Sequence, residues 1–149
     1  MRRFVVDTNL YIDAIRTDDG NEALAGFQRR FAPMLFQHAT VAQEILAGAH
    51  DEAGYRAYYD DWIAPFDDLG RVITPSASCW ARAALIIVRL VERRILIPGG
   101  FTRGFLNDCL IAASARELGF ALVTTNARDF ELIRRVEPRL EYVPPWPER

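Results

Sequence analysis

The stretch DCLIAASARELGFALVTTNARDF, Asp108–Phe130, reads as a helix, a stop, a strand and an abrupt polar end. Apolar and small residues recur from Cys109 through Ala115 and again at Leu118, and Gly119 closes the helix, glycine being the residue that most easily takes the left-handed turn there. Phe120–Thr125 then forms a short apolar run suited to a buried strand. It ends on two threonines and Asn126, and Asp129 follows three residues later. A helix feeding directly into a fully apolar strand is the signature of a parallel α/β sheet, whose strands are covered on both faces. The polar end is either a plain loop or the mouth of a site.

Working outward, the same alternation fills the chain. RFVV (Arg3–Val6) is a short strand and TNLYIDAIR runs on as a helix. A helix over Glu22–Phe31 precedes the strand PMLFQH. Thr40 with Gln43 forms a capping-box pattern for a helix stopped by Gly48. Glu52–Trp62 is a helix with Tyr55, Tyr58, Tyr59 and Trp62 facing inward. RVITP is a third strand, Ser76 or Ser78 caps a long helix to about Leu96, and IPGG is a turn. DFELIRRV makes a short helix, LEYV a fifth strand, and the proline-rich tail PPWPER no regular structure. Strands alternating with helices predict a mostly parallel sheet of four to five strands, with ligands beyond the strands' carboxyl ends.

The 149 residues fit one compact domain and can bury a core without staples. No apolar run reaches the roughly 18 residues of a membrane helix, and MRRFVVDTN lacks a signal peptide's features, so a cytoplasmic protein is expected, with no membrane partner. Cys79 and Cys109 lie in helical segments without metal-ligand spacing and are expected to be buried free thiols. His38 and His50 are expected to pack or to lie at the surface. The net charge of −2 makes the molecule as a whole no electrostatic trap for nucleic acid. Every basic residue is arginine, the better side chain for bidentate phosphate or carboxylate contacts. Arg89, Arg93, Arg94 and Arg103 form a local basic stretch, either a solvated helix face or a phosphate contact, with Arg103 only five residues before Asp108.

Four carboxylates carry the chemistry. Asp7 follows the first strand at once and suits a helix N-cap as well as a ligand. Glu44 sits early in the helix after the second strand, where a negative charge is favourable in any case. Asp108 shares its helix face with Ile111, Ala112 and Ala115, so it needs a partner: a buried arginine or a shared site. Asp129 can cap FELIRRV. Brought together, carboxylates about 5 Å apart repel by roughly 3 kcal/mol per pair at an effective dielectric near 20, so such a cluster takes up protons or binds a cation. Oxygen donors without histidine or cysteine favour Mg²⁺ or Mn²⁺, and a hydrolytic site acting on phosphodiesters is the natural reading.

VVDTN, TVAQEILAG and DCLIAASARELGFALVTTNARDF together resemble the PIN domain, and most of all the VapC-type ribonuclease toxins of toxin–antitoxin pairs. The resemblance runs in order from Phe4 to about Val143. It implies a single nuclease domain over residues 1–149, folded as a Rossmann-like three-layer α/β/α sandwich. It implies Asp7, Glu44, Asp108 and Asp129 as catalytic, metal-holding acids for Mg²⁺ or Mn²⁺, with Asn9, Thr124 and Asn126 as polar neighbours. It further implies an RNA substrate, a small cognate antitoxin protein and a homodimer, with a helical hairpin in the middle region serving as an antitoxin groove or dimer contact. Two other readings stand beside it. A non-catalytic PIN-like RNA-binding or scaffold module keeps the fold alone. A phosphatase with an aspartate nucleophile needs a second aspartate where Asn9 stands.

Overall fold

RFVV forms β1 (Arg3–Val6) at the centre of the sheet because three of its four side chains are apolar and fully covered. The computed structural model describes residues 2–149. The chain continues through α1 (Thr8–Arg16), α2 (Asp18–Phe31), β2 (Leu35–His38), α3 (Ala39–Ala47), α4 (Glu52–Tyr58), α5 (Ala64–Asp67) and β3 (Val72–Ile73). It ends with α6 (Ala77–Glu92), α7 (Arg103–Leu118), β4 (Phe120–Val123), α8 (Ala127–Arg134) and β5 (Glu141–Val143).

The five strands are all parallel, in the order β3-β2-β1-β4-β5. The chain runs one way from β1 to β3, crosses back over β2 and β1, and runs the other way from β4 to β5. Right-handed crossovers therefore put α1 to α5 on one face and α6 to α8 on the other. The result is the expected three-layer α/β/α sandwich. Phe4 packs edge-on against Phe27 and Phe31, with ring centroids 5.5 and 5.1 Å apart. On the other face α7 buries Phe105 and the unbroken stretch Cys109–Ala115. Each fully buried Val, Leu, Ile or Phe contributes about 1.5–3 kcal/mol, which is the reserve against which a strained site is set.

Several ends follow the sequence signals. Asp7 and Ser76 each cap the next helix by accepting a backbone N–H. Both cysteines are buried and free. Trp146 in the irregular tail stacks on Phe27 at 5.2 Å.

Other ends do not. The capping box at Thr40 is absent: β2 runs straight into α3, so His38 takes the N-cap position and its Nδ1 accepts the Thr40 N–H at 3.1 Å. α2 starts at Asp18 rather than Glu22, capped by Thr17. The helix expected over Glu52–Trp62 widens into a π turn at Tyr59–Ile63. One extra residue rotates the remainder of the helix by about 100°; contrary to expectation Tyr55, ahead of the turn, is 47 % exposed, while Tyr58, Tyr59 and Trp62 pack on the core. The Trp62 carbonyl accepts from Gln37 Nε2 at 2.9 Å. α6 stops at Glu92, short of Leu96, because Arg94 turns into the left-handed region at φ 59°. No helix among the described residues is long and apolar enough to cross a membrane.

Gly119 turns α7 into β4 at φ 71°, ψ 47°. Open space surrounds the position of a Cβ there, so only backbone strain opposes a side chain. Gly119→Ala should lower unfolding free energy by about 1 kcal/mol in urea titration, and Gly119→Asn by less.

Candidate functional site

The register of the two central strands builds the site. Val6 of β1 lies opposite Val123 of β4, so the next residues, Asp7 and Thr124, emerge side by side at the carboxyl ends. The Asp7 N–H extends the ladder to Val123 O at 2.9 Å, and the Thr124 N–H bonds Val143 O at 3.0 Å. The direction of the chain reverses between β1 and β4, the place where open α/β sheets form their ligand crevice.

Asp7 is 5 % exposed and held at both oxygens. Oδ1 accepts the Thr8 N–H at 2.9 Å, and Oδ2 accepts the Thr124 hydroxyl at 2.7 Å. The N-cap reading and the site reading thus use opposite oxygens of one carboxylate. Thr124 Oγ1 also accepts the Asn126 N–H at 2.9 Å. Asn126 in turn spreads its amide between Asp108 Oδ2 at 3.2 Å and Asp129 Oδ2 at 3.1 Å. A continuous chain of hydrogen bonds therefore joins Asp7, Thr124, Asn126, Asp108 and Asp129.

Glu44, on α3, belongs to the same field. Burial raises its pKa and the charge of Asp7 adds to the shift; polar contacts to Thr8 and Asn107 pull the other way. The Thr8 contact is too poor in geometry to satisfy that hydroxyl, which is buried without a hydrogen-bond partner. Burial raises Asp7 as well, against the bonds from Thr124 and Thr8. Asp108 moves furthest, to about 8, through burial first and then the charges of Asp7, Asp129 and Glu44. Burial and the neighbouring acids push the adjacent Cys109 thiol up to about 12, so it stays protonated.

None of the four acids forms an ion pair among the described residues. The buried arginine that Asp108 would need in a purely structural role is missing. Glu137, by contrast, is 1 % exposed and bonded by both Arg82 and Arg116. The fold can pair a buried acid with arginine, and it does so away from the crevice.

Hard oxygen donors that raise each other's pKa suit a divalent cation, and Asp7, Asp108 and Glu44 are the residues that would hold it. In this structure Asn126 bridges two of the acids, and no three Asp, Glu, His or Cys side chains among the described residues close into metal-holding geometry. Asp129 stands in the first turn of α8 rather than at its cap, which is Asn126. Asn9 and Arg103 are exposed and join none of these bonds. Thr8 and Asn107 escaped the sequence reading, although each is adjacent in sequence to an acid already singled out.

His38 and Ser114 look like a nucleophilic pair but are fully buried. His38 Nε2 and Ser114 Oγ lie 2.9 Å apart, Ser114 Oγ donates to Leu110 O, and Nδ1 is engaged by Thr40. Burial lowers the imidazole to about 4, so it stays neutral as a strut between β2 and α7.

A carboxyl raised from 3.8 to about 8 keeps its proton in the native state while the unfolded chain loses it. The native state then binds more protons, and stability falls as pH rises across that interval. In EDTA, Asp108→Asn should therefore gain thermal stability relative to wild type progressively between pH 4 and about 8. Melting curves showing a difference independent of pH would count against a crowded, unpaired Asp108.

Comparison with known proteins agrees with this architecture. Residues 4–136 match the PIN domain. No curated protein matches the chain. Among solved structures, VapBC from Salmonella typhimurium bound to DNA is 20 % identical with a TM-score of 0.71, over 97 % of this chain and 98 % of that one. VapBC2 from Rickettsia felis, bound to a DNA fragment from its promoter, is 22 % identical with a TM-score of 0.67 over the same shares, 97 % and 98 %. A toxin–antitoxin complex from Klebsiella pneumoniae is 22 % identical with a TM-score of 0.58, over 85 % and 88 %. At these identities the likeness carries the fold, and the match over nearly the whole chain carries the family. With its parallel 3-2-1-4-5 sheet and its acids gathered at the β1–β4 crevice, the chain belongs to the PIN domain family.

Proposed function

We propose that this protein is a Mg²⁺- or Mn²⁺-dependent endoribonuclease, the VapC-type toxin of a toxin–antitoxin pair acting in the cytoplasm. The observation that carries the reading is the set of four carboxylates around the β1–β4 crevice with no ion-pair partner among the described residues. Clusters of this kind need protons or a cation.

A bound divalent cation would supply charge neutralisation, a more acidic water and polarisation of the phosphoryl oxygen. The chain's own residues do the rest. Asp7 is oriented before any ligand arrives, since Thr8 N–H and Thr124 Oγ1 fix both of its oxygens. Asp108 is positioned by the Asn126 amide. Glu44, whose raised pKa makes it a better base than a free carboxylate, orients the attacking water and takes its proton. Asp129, sharing Asn126 with Asp108, adds negative charge at the outer side.

The protein partner is proposed from two observations. Similar folds are found in the VapBC complexes and in the Klebsiella pneumoniae toxin–antitoxin complex. The α6 residues Trp80, Leu85 and Val88 stand 60 %, 37 % and 51 % exposed, an apolar patch suited to an antitoxin or to a second copy in a homodimer.

The alternative is a non-catalytic PIN-like module that binds RNA or acts as a scaffold. The observation in its favour is that no three acids close into metal-holding geometry among the described residues. Cleavage and growth assays separate the two. Asp7→Asn and Asp108→Asn should each lose about 100-fold or more of Mg²⁺-dependent RNA cleavage, because even groups that only orient metal ligands cost 10–100-fold. Thr124→Val, which removes the hydroxyl that bonds both Asp7 Oδ2 and the Asn126 N–H, should lose about 10-fold. Expression of wild type should arrest host growth with fixed RNA ends, and Asp7→Asn should not. Metal binding without cleavage of any RNA would select the scaffold reading.

A further inference from the structure

Away from the acids, one cavity carries the opposite charge. It encloses about 280 Å³ between α6, the end of α7 and the loop before β5, and Arg82, Arg89, Arg116 and Arg139 line it with Glu137. Four arginines and one carboxylate share its lining.

Glu137 organises two of them. It is 1 % exposed, and it accepts from Arg82 Nε and from Arg116 Nη1, the latter at 3.2 Å. Both guanidinium groups are thereby fixed at the wall. Arg93 Nη1 donates to Arg135 O at 2.6 Å and pins the loop against α6 from the other side. Arg89 lies two turns beyond Arg82 on the same face of α6 and is half-buried; Arg139 is exposed on the loop. Neither Arg89 nor Arg139 has an ion-pair partner among the described residues. The nearby Glu117 is engaged by Ser76, Ser78 and Cys79. Two arginines without ion-pair partners among the described residues thus line a preformed cavity whose one lining carboxylate is already shared by two others.

Planar guanidinium forks bind phosphate oxygens in pairs, and their repulsion is relieved when an anion enters. The cavity is separate from the acid site. Arg116 is eight residues beyond Asp108 on α7, about 12 Å along the axis, and Glu137 and Arg139 precede β5, whereas the acids follow the carboxyl ends of β1 and β4.

We propose that this cavity is a phosphate-binding subsite. Its phosphate comes from the backbone of an RNA strand or from a free phosphate compound. Phosphate binding here stands without the nuclease reading, and only the RNA source leans on it.

The test uses the full chain in EDTA at low salt, where nothing is cleaved. Inorganic phosphate is titrated by NMR of the arginine Nε–H signals. A fluorescent single-stranded oligoribonucleotide is titrated by anisotropy. The Arg89→Ala/Arg139→Ala double variant should bind the oligoribonucleotide about tenfold more weakly, with a salt-dependence slope smaller by about 1, and inorganic phosphate should compete with RNA on wild type. Loss of inorganic phosphate binding with unchanged RNA affinity would also support the subsite and assign it to free phosphate. Thermal melting checks that the double variant folds; if it does not, Arg139→Glu, at an exposed position, carries the same comparison. Wild-type affinity for both probes in a folded variant would overturn the proposal.

Discussion

Parallel pairing of β1 with β4 places Val6 opposite Val123, and the chemistry at the sheet's edge depends on that register. It sets the first residue after each strand, Asp7 and Thr124, within hydrogen-bond reach at 2.7 Å. A slip of one residue would turn the slipped strand's side chains to the opposite faces. Both strands are buried on both sides, and a close-packed core penalises exchanged side chains, so the core that stabilises the fold fixes the geometry of the site. Thr124 then positions Asn126, and Asn126 holds Asp108 and Asp129.

The same molecule handles buried acids in two ways. Glu137 receives two arginines and is a structural anchor. Asp7 and Asp108 receive hydrogen bonds, none of Asp7, Glu44 and Asp108 pairs with an arginine, and each is held above its ordinary pKa. Burying an uncompensated carboxylate costs several kcal/mol, comparable to a few fully buried apolar side chains. A well-packed sheet and the buried Cys109–Ala115 stretch of α7 tolerate that cost. Removing such charges is expected to stabilise the metal-free fold while destroying its use, the usual trade between stability and function.

Much of the fold was legible in the sequence. RFVV and FALV are short apolar runs without alternation, which only a two-sided sheet accommodates, and Gly119 marked the α7–β4 junction. The sequence also pointed to the four acids through their places after strands or on an apolar helix face, and the structure links them through hydrogen bonds and shared electrostatics. What was not legible depended on tertiary contacts. His38 displaced Thr40 as the α3 cap because β2 left no loop, and the π turn at Tyr59–Ile63 rotated the aromatic row without a local signal. Arg89 and Arg93 proved to face the loop before β5 rather than the acid mouth. Helical spacing places residues on a face but does not say which neighbour that face meets.

The proposed cation site is the set of unpaired carboxylates at the β1–β4 crevice. Anomalous diffraction from crystals grown with saturating Mn²⁺ tests it most directly. A manganese peak within ligand distance of Asp7 and Asp108 is the predicted result. Crystals whose manganese binds only elsewhere, or not at all, with Asn126 still bridging Asp108 and Asp129, would contradict it.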